Sequence, residues 1–65
     1  MKRTLVKDET FRERENGFFI IVEVWKQFDR YEITINGTFY CTCENLNEVD
    51  SEIDDIKNEY DLMCA

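Results

Sequence analysis

The stretch NLNEVDSEIDDIKNEYDLM, residues 45–63, decides how the rest of this chain is read. Its apolar positions Leu46, Val49, Ile53, Ile56, Tyr60 and Met63 recur at alternating three- and four-residue intervals, the spacing that lines one side of an α-helix. Asn45 stands where an N-cap is wanted and Glu48 follows it by three positions. This is a variant of the capping box, in which side chains satisfy the first free amides of a helix. Neither Gly nor Pro interrupts the run. The spacing predicts one amphipathic helix over residues 46–63, whose apolar stripe must lie against a second layer.

The partner layer is supplied upstream. Asn16-Gly17 and Asn36-Gly37 each separate β-rich segments, and Asn-Gly readily supplies the positive φ angles of tight hairpin turns. Between them, Phe18-Phe19-Ile20-Ile21-Val22-Glu23-Val24-Trp25 is a run of aromatic and β-branched residues that reads as a central strand, apolar on both faces. Tyr31, Ile33 and Ile35 alternate with polar residues, as in a half-buried strand. Phe11-Arg12-Glu13-Arg14-Glu15 alternates charge sign, which suits a strand edge that must not pair with other chains. Residues 26–30 read as a polar connection. The expected fold class is α+β: a three- to four-stranded antiparallel meander (strands near 4–15, 18–26, 31–35 and 38–44) followed by one C-terminal helix packed on one sheet face. A chain of 65 residues has room for one core, so a single domain over residues 1–65 is expected.

The turn at Asn36-Gly37 admits two registers. A two-residue loop pairs Ile35 with Thr38 and Ile33 with Tyr40, and turn chemistry favours it. A three-residue loop with Gly37 as a bulge pairs Ile33 with Phe39 and Tyr31 with Cys41. Face matching favours the second, because a one-residue slip sends a whole apolar set to the wrong side, and the bulged register is the one expected.

Composition narrows function. Hydrophobic residues make up 43% of the chain and there are five Phe, three Tyr and one Trp, enough for a packed core. No apolar run reaches the length of a membrane span, and Met1-Lys2-Arg3-Thr4 is not followed by a signal-peptide core. Cys41, Cys43 and Cys64 are odd in number and lack zinc-ligand spacing, and there is no His. The expectation is reduced thiols, no metal, no cofactor and an intracellular, cytoplasmic location. Catalysis has no support: Ser51 lacks an evident base, no phosphate-cradling glycine loop is present, and Asp50, Glu52 and Asp54 lack the glycine of a calcium loop. A non-enzymatic chain is expected.

Charge is distributed unevenly. Residues 1–43 carry seven basic side chains (Lys2, Arg3, Lys7, Arg12, Arg14, Lys26, Arg30) and seven acidic ones (Asp8, Glu9, Glu13, Glu15, Glu23, Asp29, Glu32). Residues 44–65 carry Lys57 against Glu44, Glu48, Asp50, Glu52, Asp54, Asp55, Glu59 and Asp61, so the last third supplies the whole net charge of -7. Like charges at i,i+4 (Glu48 with Glu52, Asp50 with Asp54, Asp55 with Glu59) each cost about 0.2–0.5 kcal/mol, and Glu59 and Asp61 oppose the helix dipole. Local stability is forgone there, which is where functional pressure is expected, although an acidic helix also confers solubility.

The leading expectation is therefore a protein-interaction module that presents Glu48, Asp50, Glu52, Asp54, Asp55, Glu59 and Asp61 to a basic surface, such as that of a nucleic-acid-binding protein. In its sharper form the carboxylates mimic the phosphates of a strand, the mode of action of small acidic inhibitors from phages and mobile elements. A second expectation is a homodimeric structural or adaptor domain, using the sheet face that carries Phe19, Ile21 and Trp25, unless Leu5, Val6 and Phe11 fold over it. A third is single-stranded nucleic-acid binding by analogy of topology, with Phe19, Trp25 and Tyr40 stacking bases. Acidity disfavours direct contact with nucleic acid or anionic membranes.

Overall fold

The computed structural model describes residues 2–64. Five strands form one antiparallel sheet: β1 (Thr4–Glu13), β2 (Phe19–Gln27), β3 (Arg30–Ile35), β4 (Thr38–Cys43) and β5 (Leu62–Cys64), with the helix α1 (Leu46–Glu59) between β4 and β5. The spatial order is β4-β3-β2-β1-β5. The first four strands are the expected meander and α1 lies on one face of it, so the α+β class holds.

Alternation places Phe11, Ile20, Val22, Val24, Ile33 and Cys43 beneath the helix, and Val49, Ile53 and Ile56 come down onto them. The start of α1 is as the sequence implies. Asn45 is in extended conformation and its side chain accepts from the Glu48 amide at 2.9 Å. Glu48 reaches one residue further back than a standard capping box and accepts from the Glu44 amide at 3.0 Å.

The end of the helix is a correction. Helix was expected to residue 63, but it stops at Glu59, with Tyr60 as C-cap and Asp61 in the left-handed region at φ 51°. At 100° per residue, continued helix would have pointed Leu62 about 140° away from the Val49 direction, towards solvent. The turn instead buries Leu62 in the core and lets residues 62–64 pair with β1 as Phe11 to Cys64, Arg12 to Met63 and Glu13 to Leu62. Tyr60 and Leu46, the outer members of the helical stripe, are exposed. The end of β1 is therefore an inner strand, not the edge that its alternating charge suggested.

The turns differ from expectation as well. Strand β1 ends at Glu13 rather than near 15, and residues 14–17 form a four-residue turn in which the Gly17 amide donates to Glu13 O at 2.9 Å. At Asn36-Gly37 the loop does have two residues, both at positive φ (52° and 83°), pairing Ile35 with Thr38 and Thr34 with Phe39. The expected three-residue loop is not formed. A bulge comes later instead, so that Ile33 pairs with Cys41 and Tyr31 with Cys43. Turn chemistry thus decides the loop, and the extra residue, Tyr40, restores the faces. The 26–30 connection narrows to a two-residue turn of Phe28 and Asp29, with the 68% exposed Phe28 at φ 58°.

Candidate functional site

The helix sits on the sheet with two unlike flanks. Taking the Val49, Ile53 and Ile56 line as the buried direction, 3.6 residues per turn puts Asp50 and Lys57 on one side and Glu48, Glu52, Asp55 and Glu59 together on the other. The first flank faces β1: Lys7 Nζ lies 3.5 Å from Asp50 Oδ1 and 3.2 Å from Glu9 Oε1. The Lys57 ammonium sits 5.6 Å from the centre of the Phe11 ring. Acids on this side have partners.

The second flank faces β4. Burial pushes up the Tyr40 hydroxyl, and the negative charges of Glu59 and Glu52 push it further. The Cys41 thiol is pushed up to about 12, first by burial, then by the neighbouring Cys43 and by Glu52. Burial also raises Cys43, with Glu52 and Glu48 adding to it. Burial is the leading cause of all three shifts, and the charge of Glu52 adds to each of them. The strand cannot answer it, because Thr38-Phe39-Tyr40-Cys41-Thr42-Cys43 contains no charged residue and Glu44 extends the acidity at its end.

Glu48, Glu52, Asp55 and Glu59 thus form one row, spaced i, i+4, i+7 and i+11 and about 16 Å long at 1.5 Å rise per residue. None of the four, nor Asp54 on the outward side, makes an ion pair among the described residues. Glu48 has a structural duty in the cap, and Glu52 is half-buried beside the thiols. Asp55 and Glu59 are exposed.

The other two residues expected in the acidic face stand apart from the row. Asp50 is on the Lys7 flank. Asp61 has left the helix: its carboxylate lies 3.2 Å from Arg14 Nε and its carbonyl accepts from the Arg14 amide at 3.2 Å. The dipole penalty expected at Asp61 is thereby replaced by a contact that holds β5 against the first turn.

The opposite face of the sheet carries Phe19, Ile21 and Trp25, as alternation requires, and no helix covers it. Leu5 and Val6 do not fold over it, because β1 lies beside β2 in the sheet, and Phe11 points to the helix side. Phe39 joins this face through its pairing with Thr34. At its centre Trp25 Nε1 donates to Thr34 Oγ1 at 3.3 Å and the Thr34 hydroxyl donates to Glu23 at 3.5 Å, which leaves Thr34 3% exposed on a face open to solvent. The Arg3 guanidinium stacks 4.4 Å from the Trp25 ring centre and bonds Glu32 at 3.0 Å. The alternation gave no hint of this network, since it joins two strands, β2 and β3, with Arg3 just ahead of β1.

An open groove of about 400 Å³ lined by Val6, Lys7, Tyr31, Leu46 and Asp50 lies on the Lys7 flank, away from the acidic row. Among the described residues no group of three or more Cys, Asp or Glu is placed to hold a metal ion, and no helix is long and apolar enough to cross a membrane. The three cysteines are free thiols. Comparison with protein-family models, with curated proteins and with solved structures finds no match to this chain, so the character of the site rests on its own residues.

Proposed function

We propose that this chain is a non-enzymatic, intracellular interaction module that docks the β4 flank of α1 on a basic protein surface. One observation carries it. The acids of the Lys7 flank are paired, whereas Glu48, Glu52, Asp55 and Glu59 are aligned over an uncharged strand and make no ion pair among the described residues. A row of four carboxylates about 16 Å long repels itself in the free protein, and a partner that brings lysines or arginines to it removes that repulsion.

The sharper form of the proposal is that the row stands in for a short run of phosphates, so that the partner is a nucleic-acid-binding protein and the action inhibitory. Successive carboxylates i,i+4 apart are about 6 Å from one another, a spacing an extended basic channel can follow. The test is capture from host lysate with the wild type and with Asp55→Lys/Glu59→Lys, whose two sites are exposed and serve no cap. The expected result is a basic protein that the double variant fails to retain and that added DNA or RNA displaces. Equal retention by wild type and variant would refute docking through the row. Retention that nucleic acid does not compete would refute the mimicry while leaving the docking.

A further inference from the structure

We infer that two copies of this chain associate face to face through the sheet surface opposite α1, burying Phe19, Ile21, Trp25 and Phe39 at a symmetric interface. This goes beyond the docking of the acidic row, and it uses the other side of the molecule.

The face has the composition of an interface core. Phe19, Phe39 and Ile21 are 62%, 59% and 44% exposed, so on the order of 300 Å² of aromatic and aliphatic surface stands in water from these three alone, in the range of the largest patch on a typical monomer. Beneath them Thr34 and Trp25 are already locked by hydrogen bonds, which presents a rigid surface and lowers the ordering cost of association. Strands of ten, nine, six, six and three residues, at ~3.3 Å per residue and ~4.8 Å between strands, give the face a footprint on the order of 500 Å², at the small end of specific interfaces.

Charge selects a second copy as the occupant and selects this face for it. Arg3, Arg12 and Arg30 balance Asp8, Glu23 and Glu32 on the open face, so two such faces meet without net repulsion. The molecule is 15 Å thick, and sheets pack about 10 Å apart. Stacking the open faces therefore leaves the two acidic helices on opposite outer surfaces, roughly 30 Å apart, more than three times the ~8 Å screening length at physiological salt. Any pairing through the helix side would instead bring two acidic rows within a screening length. Association edge to edge is disfavoured as well: β4 carries the Tyr40 bulge, β5 is a three-residue strand, and the part of β1 that β5 leaves bare, residues 4–10, has its own irregularity between Leu5 and Lys7 and the charges of Lys7, Asp8 and Glu9, all devices that spoil a sheet edge as a template.

The experiment is sedimentation equilibrium of the full chain from micromolar to millimolar concentration, with Phe19→Lys and Phe39→Lys made separately and their folding checked by far-ultraviolet circular dichroism. The expected result is a wild-type dimer whose dissociation constant rises at least about tenfold in each folded variant. Asp55→Lys/Glu59→Lys should leave the dimer intact, which separates this interface from the acidic row. A wild type that remains monomeric at millimolar concentration overturns the inference. So does a dimer that both face variants leave unchanged.

Discussion

Glu59→Lys should make the protein more stable while weakening the function proposed for it. Glu59 is the last residue of α1 and lies four residues after Asp55. Reversing its charge removes one like-charge i,i+4 pair and creates an opposite pair in the favoured acid-before-base order, together about 0.4–1 kcal/mol. It also replaces an anion by a cation at the negative end of the helix dipole, worth about 0.3–1 kcal/mol for each of the two changes. Both sites are exposed, so screening trims the sum to about 1 kcal/mol. For a domain this small that corresponds to a rise of about 4–8 °C in Tm. Urea unfolding followed by the fluorescence of Trp25, the one tryptophan in the chain, measures it directly. The gain should shrink at 1 M salt, where the screening length falls to about 3 Å. A variant no more stable than wild type at low salt would show that the row is not electrostatically strained and needs no basic partner to relieve it.

Four further outcomes follow from the packing. Asn36 sits at φ 52°, donates its amide to Ile21 O at 2.8 Å and accepts the Ile21 amide on Oδ1 at 2.9 Å. Asn36→Ala, which strains the turn and orphans that amide, should cost about 2 kcal/mol, whereas Asn36→Gly, which keeps the turn, should cost about 1 kcal/mol, as read by urea denaturation. Ile56→Ala empties a site with 0% exposure and should cost about 2–5 kcal/mol in the same assay. The Cys41 thiol, raised from 9.0 to about 12, holds its proton more tightly folded than unfolded. Its contribution to stability is complete below pH 9 and lost as pH climbs towards 12, so Cys41→Ala should flatten the alkaline unfolding profile. At neutral pH a thiol reagent should modify exposed Cys64 well before Cys41.

Where local chemistry and burial agreed, the fold was legible. The Asn45 cap, the Val49, Ile53 and Ile56 stripe and the Tyr31, Ile33 and Ile35 alternation all follow from neighbours a turn or a pleat apart. The misses are long-range compromises. Tyr40 had to be left out of the strand pairing because the Asn36-Gly37 turn and the apolar faces demanded different registers, and the sequence offers no mark of where that conflict is relieved. Strand β5 was hidden inside a helical stripe because Met63 fits the period; only the needs of Leu62 and of the bare edge of β1 end the helix at Glu59. The candidate site was half legible. Its sign could be counted, but the division of the acids into a paired flank and an unpaired row depends on Lys7 and Arg14, which lie more than forty positions away from Asp50 and Asp61.

Strand β5 also bears on how the molecule opens. It is three residues long, joins positions near the two ends of the chain, and is held by its pairs with β1 and by the Asp61 to Arg14 contact. Short, late-sequence pairing of this kind breaks at lower cost than the inner strands, so its amides should exchange with solvent hydrogen first and those of β2 and β3 last. Each such opening unclasps Leu62 and bares the β1 backbone from Phe11 to Glu13. The alternating charges of Arg12 and Glu13, unnecessary on an inner strand, and those of Arg14 and Glu15 in the turn beyond it, then guard the protein against misassembly during its brief excursions from the closed state.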